Sequence, residues 1–264
     1  DLGIGLGSVR ETITLPARPE GVEVGIDGRV LISTQGSGTG NLQNVLLIYD
    51  RGQDATQQIR AVDFPPPPTT PQNLAPIFAR PQTTFRGKLI RTPDGQFIVG
   101  VNNITNNTST AIFVYEVASG VILRSRQSVG QSTALSMSPD GSKFMAGFTL
   151  YDTASLNVLA QQDNRNAPFN FPAAFNLAQN VGGSVFSPDG GTLYSAYNVA
   201  TGNPPPAPSA STLLISDSRG LGIRLGIKVP ESIVSRMVMT SDGSNAWALS
   251  ESGLVHLPLS TLFD

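Results

Sequence analysis

The sequence predicts an all-β protein assembled from about five four-stranded antiparallel units, and three observations carry that prediction. A turn motif returns five times, as Ile26-Asp27-Gly28, Thr92-Pro93-Asp94-Gly95, Ser138-Pro139-Asp140-Gly141, Ser187-Pro188-Asp189-Gly190 and Thr240-Ser241-Asp242-Gly243. Each copy stands between a short apolar segment and one rich in β-formers, which is how a tight hairpin reads in sequence. Successive turn aspartates lie 67, 46, 49 and 53 residues apart, enough for four short strands per repeat and with no helical period between them. In such a turn Pro pre-sets φ, Asp tolerates the bridge region and Gly supplies the positive φ.

In chain order, Ser8 to Leu15 alternates Val9, Ile13 and Leu15 with polar residues and reads as a strand. Gly21 to Ile26, Arg29 to Thr34, Asn44 to Asp50 and Gln57 to Phe64 make the first unit. The stretch Pro65 to Gln82 is too rich in proline to sit inside a sheet and is expected as a polyproline-like surface excursion. The second unit runs through Arg86 to Arg91, Phe97 to Asn102, Ala111 to Val117 and Val121 to Arg126. The third takes Ala134 to Met137, Lys143 to Phe148, Leu150 to Asp152 and Asn157 to Gln161. The fourth takes Gly183 to Phe186, Thr192 to Tyr197, Thr212 to Asp217 and Gly222 to Val229, with a second Pro-rich loop at Pro204 to Pro208. The fifth has only Ser235 to Met239, Ala246 to Ser250 and Gly253 to Leu259.

Four-stranded units at this period are the blades of a β-propeller. Each blade buries both faces against its neighbours. The reading is one domain over residues 1–264, with blades near 16–64, 84–130, 131–179, 180–230 and 231–264 plus 8–15, and a Pro-rich insertion over 65–83. Ser8 to Leu15 is expected to complete the last blade and hide its edge. The alternative is a segment of a larger ring of about six to eight blades.

Composition limits the partners. Charged residues are 14% and the formal net charge is -2, so no electrostatic footprint for nucleic acid or an anionic membrane exists. No apolar run is long enough for a transmembrane helix. The start, Asp1-Leu2-Gly3-Ile4-Gly5-Leu6-Gly7, has no charged segment ahead of an apolar one and reads as a trimmed start rather than a signal peptide. The chain has no cysteine, which removes disulfides, thiolate nucleophiles and cysteine metal sites. Its low Lys and Glu content and its Asn- and Thr-rich loops lean towards an extracytoplasmic address.

The repeated order of apolar strand, Ser-Pro-Asp-Gly turn, β-rich strand and a third strand ending as Ile48-Tyr49-Asp50, Val114-Tyr115-Glu116, Leu150-Tyr151-Asp152 and Ile215-Ser216-Asp217 resembles the bacterial YVTN-type β-propeller repeats, relatives of the WD-repeat proteins. Leu31-Ile32-Ser33-Thr34 and Leu193-Tyr194-Ser195-Ala196 stand where that family has Tyr-Val-Thr-Asn, and the Gly-His and Trp-Asp signatures of WD repeats are missing. The resemblance implies a disc with a central channel and loop-built faces. Fold does not imply function.

The five turn aspartates, with Gly28, Gly95, Gly141, Gly190 and Gly243, are expected as turn formers and not as a catalytic carboxylate ring. A single histidine, His256, cannot build a Ser-His-Asp arrangement or a His-rich metal cluster. Asp163, Asn164 and Asn166 are oxygen donors on one loop and the one candidate calcium site, although their spacing matches no calcium-loop pattern. Arg86, Arg91, Arg124 and Arg126 are the candidates for an anionic ligand. Asn103, Asn106 and Asn107 open glycosylation sequons that matter only in a eukaryotic secretory host. No catalytic residue, cofactor or metal is expected. The function expected is that of a non-enzymatic binding or scaffold propeller with a protein or glycan partner. The alternative is a propeller enzyme, a lactonase-like hydrolase or quinoprotein-like dehydrogenase, with its site in the channel.

Overall fold

The computed structural model describes residues 9, 11–35, 46–62, 86–104, 109–129, 134–162, 181–198 and 211–262. The expected excursion over 65–83, the Pro204 to Pro208 loop, Asp163, Asn164, Asn166, Asn106, Asn107 and the first seven residues lie outside these.

Nineteen strands among the described residues form five antiparallel sheets, each ordered as in the sequence. The first holds β1 (Arg18–Val24), β2 (Val30–Gln35), β3 (Leu46–Tyr49) and β4 (Ile59–Ala61); the second holds β5 (Arg86–Arg91), β6 (Phe97–Ile104), β7 (Ser109–Glu116) and β8 (Val121–Val129). The third holds β9 (Leu135–Met137), β10 (Lys143–Ala146), β11 (Thr149–Asp152) and β12 (Val158–Gln161); the fourth holds β13 (Val181–Phe186), β14 (Thr192–Tyr197), β15 (Ser211–Asp217) and β16 (Ile223–Val229). The fifth has three strands, β17 (Ile233–Met239), β18 (Asn245–Ser250) and β19 (Leu254–Pro258), followed by a 3₁₀ turn at Leu259–Leu262. β1 touches β5, β5 touches β9, β9 touches β13 and β13 touches β17. The first strand of every sheet therefore lines a common axis, which is the plan of a β-propeller with about five blades.

The recurrent turn explains the shape of each blade. Gly28, Gly95, Gly141, Gly190 and Gly243 all take φ between 69° and 81°, a region that costs any residue with a Cβ. Each donates its N–H to the residue three back, and the Asp before it accepts the N–H two residues ahead, as Asp140 does from Ser142 at 3.0 Å. The turns also stack from blade to blade: a Cβ on Gly141 would stand 3.2 Å from Pro93, and one on Gly243 would stand 3.3 Å from Pro188.

Between blades lies the core. Leu31 and Ile48 meet Leu89, Ile98 and Phe113 at the first junction; Val99 and Ile112 meet Leu135, Phe144 and Tyr151 at the second. Met145 and Leu150 meet Phe186 and Leu193 at the third; Tyr194 and Ile215 meet Ile233, Met237 and Ala246 at the fourth. Gly100 leaves room for the Phe113 ring, which a Cβ would meet at 2.0 Å. Gly182 lets β13 approach β17, since a Cβ there would stand 2.1 Å from the Ile233 carbonyl oxygen. Asn198 completes that junction by accepting the Ile233 N–H at 3.1 Å and donating to its carbonyl at 2.8 Å.

The strand expected over Ser8 to Leu15 to complete the last blade is not formed by its described residues, Val9 and 11–15. Residues 11–15 make no strand and lie on the first blade instead, where Leu15 packs on Ile32, Leu47 and Tyr49. Glu11 accepts a hydrogen bond from the Tyr49 hydroxyl at 3.3 Å and pairs with Arg51 at 3.4 Å. The reason is the face of β1–β4 that turns away from the second blade, which is apolar and takes Leu15. Pro16, next in line, has no N–H for a ladder.

Candidate functional site

The axis encloses a cavity of about 320 Å³ lined by the start of each innermost strand, among them Glu20, Lys88, Leu135, Gly182, Val234 and Arg236. It lies towards the end away from the Asp-Gly turns. Its charged lining is Glu20, Lys88 and Arg236, with Glu23 held beside it by Arg236. The Lys88 Nζ donates to the Glu20 carbonyl oxygen at 2.8 Å, with the Glu20 carboxylate 3.9 Å away. The Arg236 Nη2 donates to the Glu23 Oε1 at 2.5 Å and to the Leu89 carbonyl oxygen at 3.0 Å. One guanidinium thus joins β17, β1 and β5. Below, the Ser136 and Ser184 hydroxyls share a buried hydrogen bond of 2.6 Å between the third and fourth blades.

Sequence reasoning passed over Lys88, Glu20, Glu23 and Arg236. The one signal for them is a lone cation inside an apolar strand, Arg236 in Ile233-Val234-Ser235-Arg236-Met237-Val238-Met239.

Of the four arginines singled out in the sequence, Arg91, Arg124 and Arg126 take separate places. Arg91 donates to the Val24 carbonyl oxygen at 3.3 Å and straps the second blade to the first. Arg126 donates to the Leu156 carbonyl oxygen at 2.9 Å and straps the second blade to the third. Arg124 is exposed beside a groove of about 360 Å³ between the second and third blades, bordered by Asp94, Leu123, Asp140 and Asp152. Arg86 begins β5 opposite Asn103.

The turn aspartates spend their carboxylates on the turns. The Ser138 hydroxyl, then the Ser142 hydroxyl and N–H, hold Asp140 down to about 2. The Thr240 hydroxyl, with the N–H and hydroxyl of Ser244, does the same for Asp242. Asp94 and Asp189 are lowered by Thr92 and Ser187 in turn. Strongly lowered carboxyls of this kind stay ionised and suit a structural role better than proton transfer. His256 is exposed on the fifth blade, 2.7 Å from the Asn245 Oδ1 and stacked on Trp247 with ring centroids 4.3 Å apart. Among the described residues no group of three His, Cys, Asp or Glu could hold a metal ion, and no helix is long and apolar enough to cross a membrane.

No family model matches the sequence, and no curated protein does. Solved structures match by shape. The β-propeller domain of Cps50 (Swd1) from Myceliophteria thermophila aligns with a TM-score of 0.58 at 13% identity, over 92% of this chain and 65% of that one. Hydrazine synthase from Kuenenia stuttgartiensis aligns at 0.57 and 14% identity, over 91% and 71%. A functionally unknown protein from Desulfotomaculum acetoxidans aligns at 0.57 and 13% identity, over 96% and 68%. The chain therefore spans about two thirds of the length of these neighbours, and the likeness is one of fold, a β-propeller.

Proposed function

We propose that this chain is a non-enzymatic binding propeller, working outside the cytoplasm and recognising a protein or glycan through its loop-built faces and channel rim. The observation that supports this reading is how the channel spends its charges. Glu20, Lys88, Glu23 and Arg236 are engaged with one another and with backbone carbonyls, and the turn carboxylates lie at the far end of the strands. Binding residues gather on loops held by a rigid scaffold, and this scaffold is strapped at every junction described. Kinship with YVTN-type repeats belongs to the same proposal. Among the structural neighbours one is a synthase and another a propeller domain, so likeness of fold favours neither an enzyme nor a scaffold.

The test is a binding screen of the purified chain against glycan, peptide and extracellular-protein arrays, with calcium and chelator arms. Saturable binding that weakens on Lys88→Ala or Arg124→Ala, with no turnover of lactone or alcohol substrates, supports the reading. Lactone hydrolysis, or alcohol oxidation on adding a quinone, overturns it.

A further inference from the structure

Blades two to five share one hairpin register, in which the first residue of the turn donates its N–H to the carbonyl of Phe97, Lys143, Thr192 or Asn245. The first blade's turn is one residue shorter, and Gly25 donates to Arg29. Two positions further on stand Leu31, Val99, Met145, Tyr194 and Trp247 as equivalents. The first four face the next blade and none is more than 6% exposed, whereas Trp247 is 37% exposed. Beside it Val238 and Leu249 are 57% and 49% exposed.

The opposite side of the seam repeats the contrast. Val22, Leu89, Leu135, Ser184 and Met237 are equivalents by their pairing with Ile32, Gly100, Ala146, Ser195 and Ala248. The last four are at most 7% exposed and Val22 is 53% exposed. Turn stacking stops at the same place. A Cβ on Gly95, Gly141, Gly190 or Gly243 would stand 3.2–3.5 Å from the turn of the preceding blade, and one on Gly28 meets nothing within 4 Å.

We propose that a further blade of this repeat, carried by the same polypeptide, seats between the fifth and first blades. It covers Trp247, Val238 and Leu249 with one apolar face and, with the other, Val22 and Val24, the part of the first blade's face that Leu15 on Ile32, Leu47 and Tyr49 leaves open. The molecule itself shows what covers these positions, because at all four junctions the cover is the apolar face of the adjacent repeat in one chain. About a third of the Swd1 propeller domain lies outside its match to this chain, which leaves room in the fold for such a blade. Arg236 reaches Glu23 across the seam, so its inner end is narrow and admits a sheet rather than a second five-bladed body. That ion pair is solvent-exposed on the arginine side and is a weak strap that opens for an apolar interface.

The chain has no cysteine, so Val238→Cys reports on the seam. The variant is made in the 264-residue chain and in the full natural polypeptide, and alkylation of the peptide carrying residue 238 is followed by mass spectrometry at two protein concentrations. Exposed Val121→Cys serves as the reference rate. The proposal expects full reactivity in the shorter chain and protection of about tenfold or more in the full polypeptide, independent of concentration. Equal rates overturn it. Protection that grows with concentration assigns the face to a second copy and also overturns it. So does a disulfide in oxidised Val22→Cys/Val238→Cys of the 264-residue chain, which would mean that the first blade closes directly on the fifth.

Discussion

The junction between the second and third blades and the seam between the fifth and first are built from equivalent positions of one repeat, yet they carry opposite surfaces. At the junction Val99, Phe144 and Tyr151 are buried, the Phe144 and Tyr151 rings stack at 5.2 Å, and Gly141 abuts Pro93. At the seam Trp247, Val238 and Val22 face water, Gly28 abuts nothing, and among the described residues no apolar cluster joins the two blades. Burial in a propeller is thus a property of the pair of blades and not of the strand. A repeat supplies apolar residues on both faces, and only the neighbour decides whether they become core.

The largest contrast is expected from truncating one aromatic side chain at each place, Phe144 buried at the junction and Trp247 part-exposed at the seam. Phe144→Ala should lower unfolding free energy by about 3–5 kcal/mol, because the cavity opens inside a packed junction. Trp247→Ala should cost about 1 kcal/mol in the 264-residue chain, where the side chain already meets water. Urea unfolding of the two variants measures both, and equal losses would break the comparison.

Next comes the close approach of β13 and β17. Gly182→Ala should cost about 2–3 kcal/mol, since the obstacle to its Cβ is the Ile233 backbone and no rotamer relieves it. A neutral result in the same unfolding assay would mean that the fourth junction is looser than described.

The turns offer a finer version. Gly28→Ala and Gly141→Ala each force a side chain into positive φ, a cost of about 1 kcal/mol. Gly141→Ala should lose more, because its Cβ also crowds Pro93 where Gly28 has open space. Thermal melts that rank the two the other way would remove turn stacking as a junction term.

The smallest effect is electrostatic. Asp140 and Asp242 titrate at about 2 in the folded protein against 3.8 for an ordinary aspartate. A lowered folded value adds stability that is complete above the unfolded value and is lost as pH falls through the folded one. The melting temperature should therefore fall between about pH 4 and pH 2, and Asp140→Asn should flatten part of that fall. At the alkaline end Tyr197 is raised by burial, so its contribution is present below about pH 10 and is lost above it.

Much of the fold was legible because the turn is local chemistry. Asp and Gly at adjacent positions announce a hairpin wherever they recur, and five hairpins at one period announce blades. The site was less legible. Arg91 and Arg126 are candidates for an anionic ligand in sequence, and nothing there announces their hydrogen bonds to carbonyls of the adjacent blade, while Arg236 and Glu23 are 213 residues apart. Their pairing depends on bending the array into a ring, which no strand records.

What the sequence determined by itself is the unit: its turn, its strand count and its two apolar faces, all set by interactions within about 50 residues. What only the tertiary structure decided is the relation between units. Ile13 and Leu15 have an alternation that suits a strand, but residues 11–15 lie on the first blade, where Leu15 packs on the apolar face of Ile32, Leu47 and Tyr49 and Glu11 meets the Tyr49 hydroxyl. The seam that opens at Ser8 to Leu15's expected place leaves Trp247 in water, because a face is buried only when another face arrives to exclude the solvent.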